Sequence, residues 1–229
     1  MEEVIVLLMR FGLTRVEATI YYNLLIRQAM TGYELSKETK ISRSNIYSSL
    51  TNLEKKGVIY LAAEEKSKYV EVGIEEFCDN YINGLKSTRD HLVSMIPKAE
   101  SKVDNYITIS GQQNIINKTR NMLTHAKQRV YISAKDEILM LFYKEFMVLK
   151  ERGLRIVVIT DKEMDLPASE IYFDSKEDNQ LDLIIDSQEV ISGRINQICL
   201  YSMNDNLIMI FKRMLKNEIE MIKLGVSQK

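Results

Sequence analysis

The sequence is poor in the residues from which most reactive centres are built. It holds only two cysteines and two histidines. Cys78 and Cys199 are far apart and lack CxxC spacing, so neither a disulfide framework nor a zinc site is indicated, and buried or idle thiols are expected. His91 and His125 each sit on a helical pattern away from any cysteine, which argues against a metal cluster and against a catalytic imidazole. No cofactor signature stands beside them, so the expected catalytic residues, metals and cofactors are none. Long apolar runs are missing too. Nothing approaches the roughly 20 residues that a spanning helix needs, and no basic flank leads into an apolar core near the start, so no membrane partner is expected and the cytosol is the expected compartment. Nor is charge of one sign in excess: 31 Lys and Arg face 32 Asp and Glu, for a formal net charge of −1. Such a chain has no global pull toward nucleic acid, so any DNA binding must rest on a local patch and on dimeric avidity.

What is present suits two small domains joined by a connector. The 229 residues are 45% hydrophobic and 28% charged, enough to bury one or two cores. The most informative stretch is 41–57, ISRSNIYSSLTNLEKKG. Ser42 is placed to cap a helix and Gly57 to close it in the left-handed conformation. At about 100° per residue, Ile46, Leu50 and Leu53 form one stripe, while Ser44, Ser48, Thr51 and Lys55 lie opposite. A small, polar face of this kind fits a major groove. There Ser44, Asn45, Ser48 and Asn52 meet base edges, Arg43 and Lys55 reach guanines or phosphates, and Tyr47 lies at the same surface. An ordinary solvated amphipathic helix is the plain alternative. The neighbours favour the first reading. Residues 31–39 form a short helix opening on a Thr cap, with Tyr33 and Leu35 as its apolar residues and only a tight turn before the next helix, which is helix-turn-helix spacing. Strands at 58–62 and 68–72 around a turn at 63–67 then read as a wing, with Lys66 at its tip and Lys68 beside it. Helices at 4–11 and 16–26, with Thr14 as a cap between them, supply the scaffold.

From Gly73 onward a long helix over 74–103 is expected as the connector. Cys78, Tyr81, Leu85, Thr88, Leu92, Met95 and Ala99 step alternately by three and four, the seam of a coiled coil, though Gly84 adjoins it and Pro97 should kink or restart it. A single helix packed on one of the domains is the alternative. Beyond Asp104 the pattern becomes mixed. Strands are expected at 106–110, 129–134, 154–160, 170–174, 181–186, 189–192, 198–203 and 207–211. Helices are expected from Gly111, over 137–151 and over 212–223. The strand, helix, strand unit from 129 to 160 indicates a parallel pair.

Two resemblances sharpen this reading. Gly12-Leu13-Thr14, Glu17-Ala18, Tyr21, Ile41-Ser42-Arg43-Ser44, Ile46-Tyr47, Leu50 and Leu53-Glu54-Lys55-Lys56-Gly57 resemble the N-terminal domain of the TrmB family of transcriptional regulators. The resemblance implies a winged helix-turn-helix that binds double-stranded operator DNA as a homodimer. The later half resembles the phospholipase D-like domain that many members of that family carry, at 129–134, at 153–160 and above all in LDLIIDSQEVISGRIN. The expected fold class is therefore α+β with an α/β part: a winged helix-turn-helix over 1–73, a coiled-coil connector over 74–103 and a mixed-sheet phospholipase D-like domain over 104–229. Aligned on Asp186, the His and Lys of that superfamily's His-x-Lys-x4-Asp motif fall on Asn179 and Leu181. These can supply neither a nucleophilic imidazole nor a cation for phosphate oxygens. An inactive domain used for dimerisation and effector sensing is expected, with Asn179, Asp186, Ser192 and Asn196 as candidate contacts to a small-molecule effector, although an Asp at a strand end is most often a turn residue. The chain ends soon after this part, so room for a further sugar-binding domain is not expected. A phosphodiesterase with a DNA-targeting head and a winged-helix adaptor that binds protein are the competing functions. The first would need an intact His-x-Lys-x4-Asp, and none is present.

Overall fold

A computed structural model describes residues 1–62, 67–97 and 106–225. They divide into two compact units, Met1–Ala99 and Glu100–Lys229.

The first unit is built from α1 (Glu2–Arg10), α2 (Arg15–Arg27), β1 (Met30–Thr31), α3 (Gly32–Thr39), α4 (Arg43–Lys55), β2 (Ile59–Leu61), β3 (Lys68–Glu71) and α5 (Ile74–Met95). Three of its helices, α2, α3 and α4, start where hydroxyl side chains satisfy first-turn amides. Thr14 and Thr31 each form a reciprocal capping box, with Glu17 and Glu34, and Ser42 accepts from the Asn45 amide. Ile20, Tyr21 and Leu24 of α2, Leu35 of α3 and the stripe Ile46, Leu50 and Leu53 of α4 are fully buried together. Each contributes about 1.5–3 kcal/mol by leaving water. The Tyr21 hydroxyl donates to the Val72 carbonyl at 2.6 Å, which fastens α2 to the end of the wing. The sheet runs β1-β3-β2 and is antiparallel throughout. Two-residue β1 is too short for alternation to reveal.

The connector helix stops at Met95, short of the expected 103. Ile96 is extended at φ −89° and ψ 116°, because the ring of Pro97 excludes the helical conformation from the residue before it. Residues 98–103, Ala99 of the seam among them, lie outside the described residues. The first turns of α5 belong to the N-terminal core: the Phe77 ring lies 5.3 Å from Tyr21 and Tyr81 lies 5.6 Å from Phe11.

The second unit contains β4 (Tyr106–Ser110), α6 (Gln112–His125), β5 (Arg129–Ala134), α7 (Asp136–Met140), α8 (Tyr143–Glu151), β6 (Arg155–Thr160), β7 (Glu170–Phe173), β8 (Gln180–Ile185), β9 (Glu189–Arg194), β10 (Ile198–Ser202) and α9 (Asp205–Lys223). The seven strands are ordered β4-β10-β9-β8-β5-β6-β7. β5, β6 and β7 run parallel and the other pairs are antiparallel. One sheet face packs under α6, α7 and α8, and α9 packs on the other.

Two expectations give way here. The helix over 137–151 is two helices, broken at Leu141 and Phe142, where amides bond three residues back instead of four and sink Phe142 fully into the core. The strand expected at 207–211 is the start of α9. The Asn204 side chain accepts from the Asn206 and Leu207 amides and opens the helix. Ile208, Phe211, Leu215, Ile219 and Ile222 then step by three and four along one face that packs on the sheet. The short apolar run LIMIF is compatible with either element, and the cap before it decides.

Candidate nucleic-acid interface

The turn between α3 and α4 holds α4 with one flank in the core and the other in solvent. Arg43, Ser44, Asn45, Tyr47, Ser48, Asn52 and Lys55 are all exposed. Both ends of the helix are fixed. Gly57, at φ +67°, donates to the Glu54 carbonyl at 2.9 Å, and Val58 donates to the Leu53 carbonyl at 3.0 Å. That is the paired bonding of a Schellman motif. Lys56 points the other way. Its ammonium bonds the Gly12 carbonyl at 2.9 Å and the buried Glu17 carboxylate at 2.7 Å, and so ties the end of α4 to α2. Burial pushes the Glu17 carboxyl up, but the Lys56 ammonium and the Thr14 amide and hydroxyl outweigh it and hold it below the usual carboxylate range.

Two contacts shape the N-terminal half of the exposed face. The Arg43 guanidinium lies 4.6 Å from the centre of the Tyr33 ring, a cation–π contact. The Tyr47 ring lies so close over Gly32 that a Cβ there would come within 2.7 Å of it. Tyr33 and Tyr47 are 53% and 49% exposed, which places two aromatic rings beside the polar groups of the helix. Of the two apolar residues that the sequence gives α3, Leu35 is buried and Tyr33 is not. Their spacing accounts for this: Tyr33 and Leu35 are two apart and cannot share a helix face, so only one of them enters the core. On the wing, Lys68 opens β3 opposite Thr31 and its charge bears on Glu34. The Glu34 carboxyl is held low by the Thr31 amide first, then by the Thr31 hydroxyl, with Lys68 adding to them. Lys66 lies outside the described residues.

The four residues put forward for an effector do not meet in one cavity. Asp186, at φ +53°, accepts from the amides of Lys127, Gln128 and Arg129 at 2.7, 2.8 and 2.8 Å, and so closes the turn that leads into β5. Burial raises its carboxyl, and those three amides pull it below the usual range. Asn179 stands at the other end of β8, roughly 20 Å away at strand rise, and its carbonyl accepts from the Ile195 amide at 2.8 Å. Ser192 donates to the Asp182 carboxylate at 2.5 Å on the sheet face, while Asn196 is exposed in the turn between β9 and β10. Leu181 is fully buried in the larger core. Asn179 shares a polar crevice with Lys135, Asp161, Lys162 and Asp178, where Lys135 pairs with Asp178, and Lys162 with Asp136 at 3.3 Å. Among the described residues no cluster of His, Cys, Asp and Glu could hold a metal ion, and no helix is long and apolar enough to cross a membrane.

These features define a winged helix-turn-helix unit followed by a mixed α/β unit. Residues 7–75 match the profile of the sugar-specific transcriptional regulator TrmB, and residues 106–213 match that of the N-terminal subdomain of the TrmB EBD. The chain belongs to the TrmB family of transcriptional regulators. It is 24% identical over 161 residues to the uncharacterized protein YrhO of Bacillus subtilis, covering 69% of this chain and 58% of that one. Over 165 residues it is 23% identical to the HTH-type sugar sensing transcriptional regulator TrmBL1 of Pyrococcus furiosus, covering 70% and 48%. The chain thus matches about half the length of these relatives. Among solved structures it is similar to TrmBL2, described as an archaeal chromatin protein with a novel mode of DNA binding, at 19% identity and a TM-score of 0.44 over 96% of this chain and 97% of that one. A phospholipase D family member, Nuc from Salmonella typhimurium, is similar at 12% identity and a TM-score of 0.37 over 49% and 93%.

Proposed function

We propose that this chain is a sequence-specific DNA-binding transcriptional regulator that works as a homodimer, with a C-terminal half that senses an effector and does not hydrolyse phosphodiesters. The observation that carries the reading is the exposed face of α4, fixed by caps at both ends and furnished with Arg43, Ser44, Asn45, Ser48 and Asn52, the groups that can meet base edges in a major groove, with the Tyr33 and Tyr47 rings beside them. Arg43 is held over Tyr33 and is suited to bidentate contact with a guanine. Lys55 and Lys68 are suited to phosphates. Catalysis is disfavoured because Asn179 lacks an imidazole and Leu181 is core.

A mobility shift with the DNA upstream of the protein's own gene, repeated over a salt series, tests this reading. Arg43→Ala should weaken binding by about 1–3 kcal/mol and relax preference at one base pair. Lys68→Ala should weaken all sequences alike and lower the salt slope by about one. Undiminished affinity in the Arg43 variant would remove Arg43 from the interface. Turnover of DNA or phospholipid that persists through purification would restore the enzyme reading.

A further inference from the structure

The second face of the C-terminal sheet is covered by a single helix, and the cover is incomplete. α9 seats Ile208 and Leu215 against Ile159, Ile184 and Val190. Beside that contact lies a half-open cleft of about 550 Å³ between α9 and strands β5 to β8. Its floor is apolar and aromatic, offered by the half-buried Tyr131 and Tyr172 from the sheet and Ile219 from the helix, with Val157, Ile184 and Leu215 buried beneath them. Its rim is basic. Lys212, Arg213, Lys216 and Lys223 project from α9 and Arg155 from β6, against only Glu170 and Glu220.

Both carboxylates are already engaged. Glu170 takes the Arg155 guanidinium at 2.5 Å and the Tyr172 hydroxyl at 2.6 Å, and Glu220 faces Lys216 at 3.6 Å across one helical turn. Lys223 lies 5.2 Å from the centre of the Tyr172 ring. Lys212 and Arg213 form no ion pair among the described residues. An apolar floor of this size under converging cations has the form of a small-ligand site. A neutral sugar would set its hydroxyls on a floor that offers them few partners, and a bare inorganic anion would leave the floor uncovered.

We propose that the cleft binds a small amphipathic organic anion, its apolar body on Tyr131, Tyr172 and Ile219 and its carboxylate or phosphate head at Lys212, Arg213 and Lys216. The regulatory meaning of this site rests on the reading of the C-terminal half as the sensing half, but ligand binding itself does not involve DNA. Calorimetry on the full chain with decanoate, decanol and inorganic phosphate tests it. Decanoate should bind saturably at one per chain, with decanol and phosphate at least tenfold weaker. Lys212→Glu combined with Lys216→Glu, both exposed, should weaken decanoate at least tenfold with an unchanged circular dichroism spectrum. Ile219→Trp should weaken it by filling the floor. Absence of decanoate binding, equal affinity for decanol, or full affinity in the charge-reversed variant would overturn the proposal. Binding that leaves operator affinity unchanged would keep the cleft and remove its role in sensing.

Discussion

Single side chains settle which charged residues of the first unit face outward. Leu53-Glu54-Lys55-Lys56-Gly57 presents two adjacent lysines, and they part company: Lys55 stays on the exposed face while Lys56 turns inward to Glu17, a carboxylate only 2% exposed. Removing that cation leaves Glu17 buried against two Thr14 contacts alone. Because Lys56 itself is 39% exposed, solvent screening limits the cost of Lys56→Met to about 1 kcal/mol. The sign with pH is fixed by the direction of the shift. A carboxyl held lower in the folded chain than in the unfolded one adds its full stability above the unfolded value, and loses it as pH falls through the folded value. Unfolding in urea across a pH series should therefore show the variant weaker at neutral pH, with the gap to wild type closing below about 4.5. A gap that stays constant into acid would mean that Lys56 acts through packing alone. In the second unit Asp186 has a comparable structural part. Asp186→Ala strips an acceptor from three amides and puts Ala at φ +53°, which should cost about 2–4 kcal/mol. Asp186→Asn, which tolerates that conformation and keeps one acceptor, should cost about half as much. If both variants melt like wild type, the carboxylate is free for a ligand after all.

At the scale of elements, α4 was legible from its sequence because every local signal agreed: a Ser cap, an apolar stripe of three residues and a Gly at the left-handed position. Gly57 carries a clean test of this. A Cβ there would meet no atom within 4 Å, so Gly57→Ala should cost about 1–2 kcal/mol purely through its φ of +67°, and Gly57→Asn less. A neutral Ala variant in thermal unfolding would show that the helix end frays. Elements whose ends depend on tertiary contact were not legible in this way. The break at Leu141 and Phe142 contains neither Gly nor Pro, and only the burial of Phe142 calls for it. The start of α9 turned on whether Asn204 ends a strand or caps a helix, which the apolar run after it leaves undecided. The candidate DNA face was readable because exposure there follows helical phase. The cleft under α9 was not, because it joins residues from 131 to 223 that no spacing relates.

For the molecule as a whole, the open question is what covers α5. Its first turns are accounted for: Cys78 packs against the N-terminal core and Tyr81 lies against Phe11 and Gly12. Cys78, the first position of the expected seam, is thus partly covered within its own copy. Further along, Leu85, Leu92, Val93, Met95 and Ile96 are each more than half exposed. A large apolar side chain gains about 1.5–3 kcal/mol when it is buried, so a row of them left in water is a strong incentive to pair. The proposed function would supply the same demand. One winged helix covers one half-site, and a nearly neutral protein making few phosphate contacts reaches useful affinity by engaging two half-sites roughly 34 Å apart. Two copies joined along α5 from Leu85 onward would meet both needs. Leu85→Asp and Leu92→Asp should then each lower self-association in light scattering and operator affinity in parallel, since each would bury a charge in the seam. Cysteine placed at position 92 should give a dithiothreitol-sensitive dimer under mild oxidation in the Cys78→Ser background, and Cys78 alone should not. If the Asp variants remain dimers with full affinity, pairing belongs to the C-terminal unit.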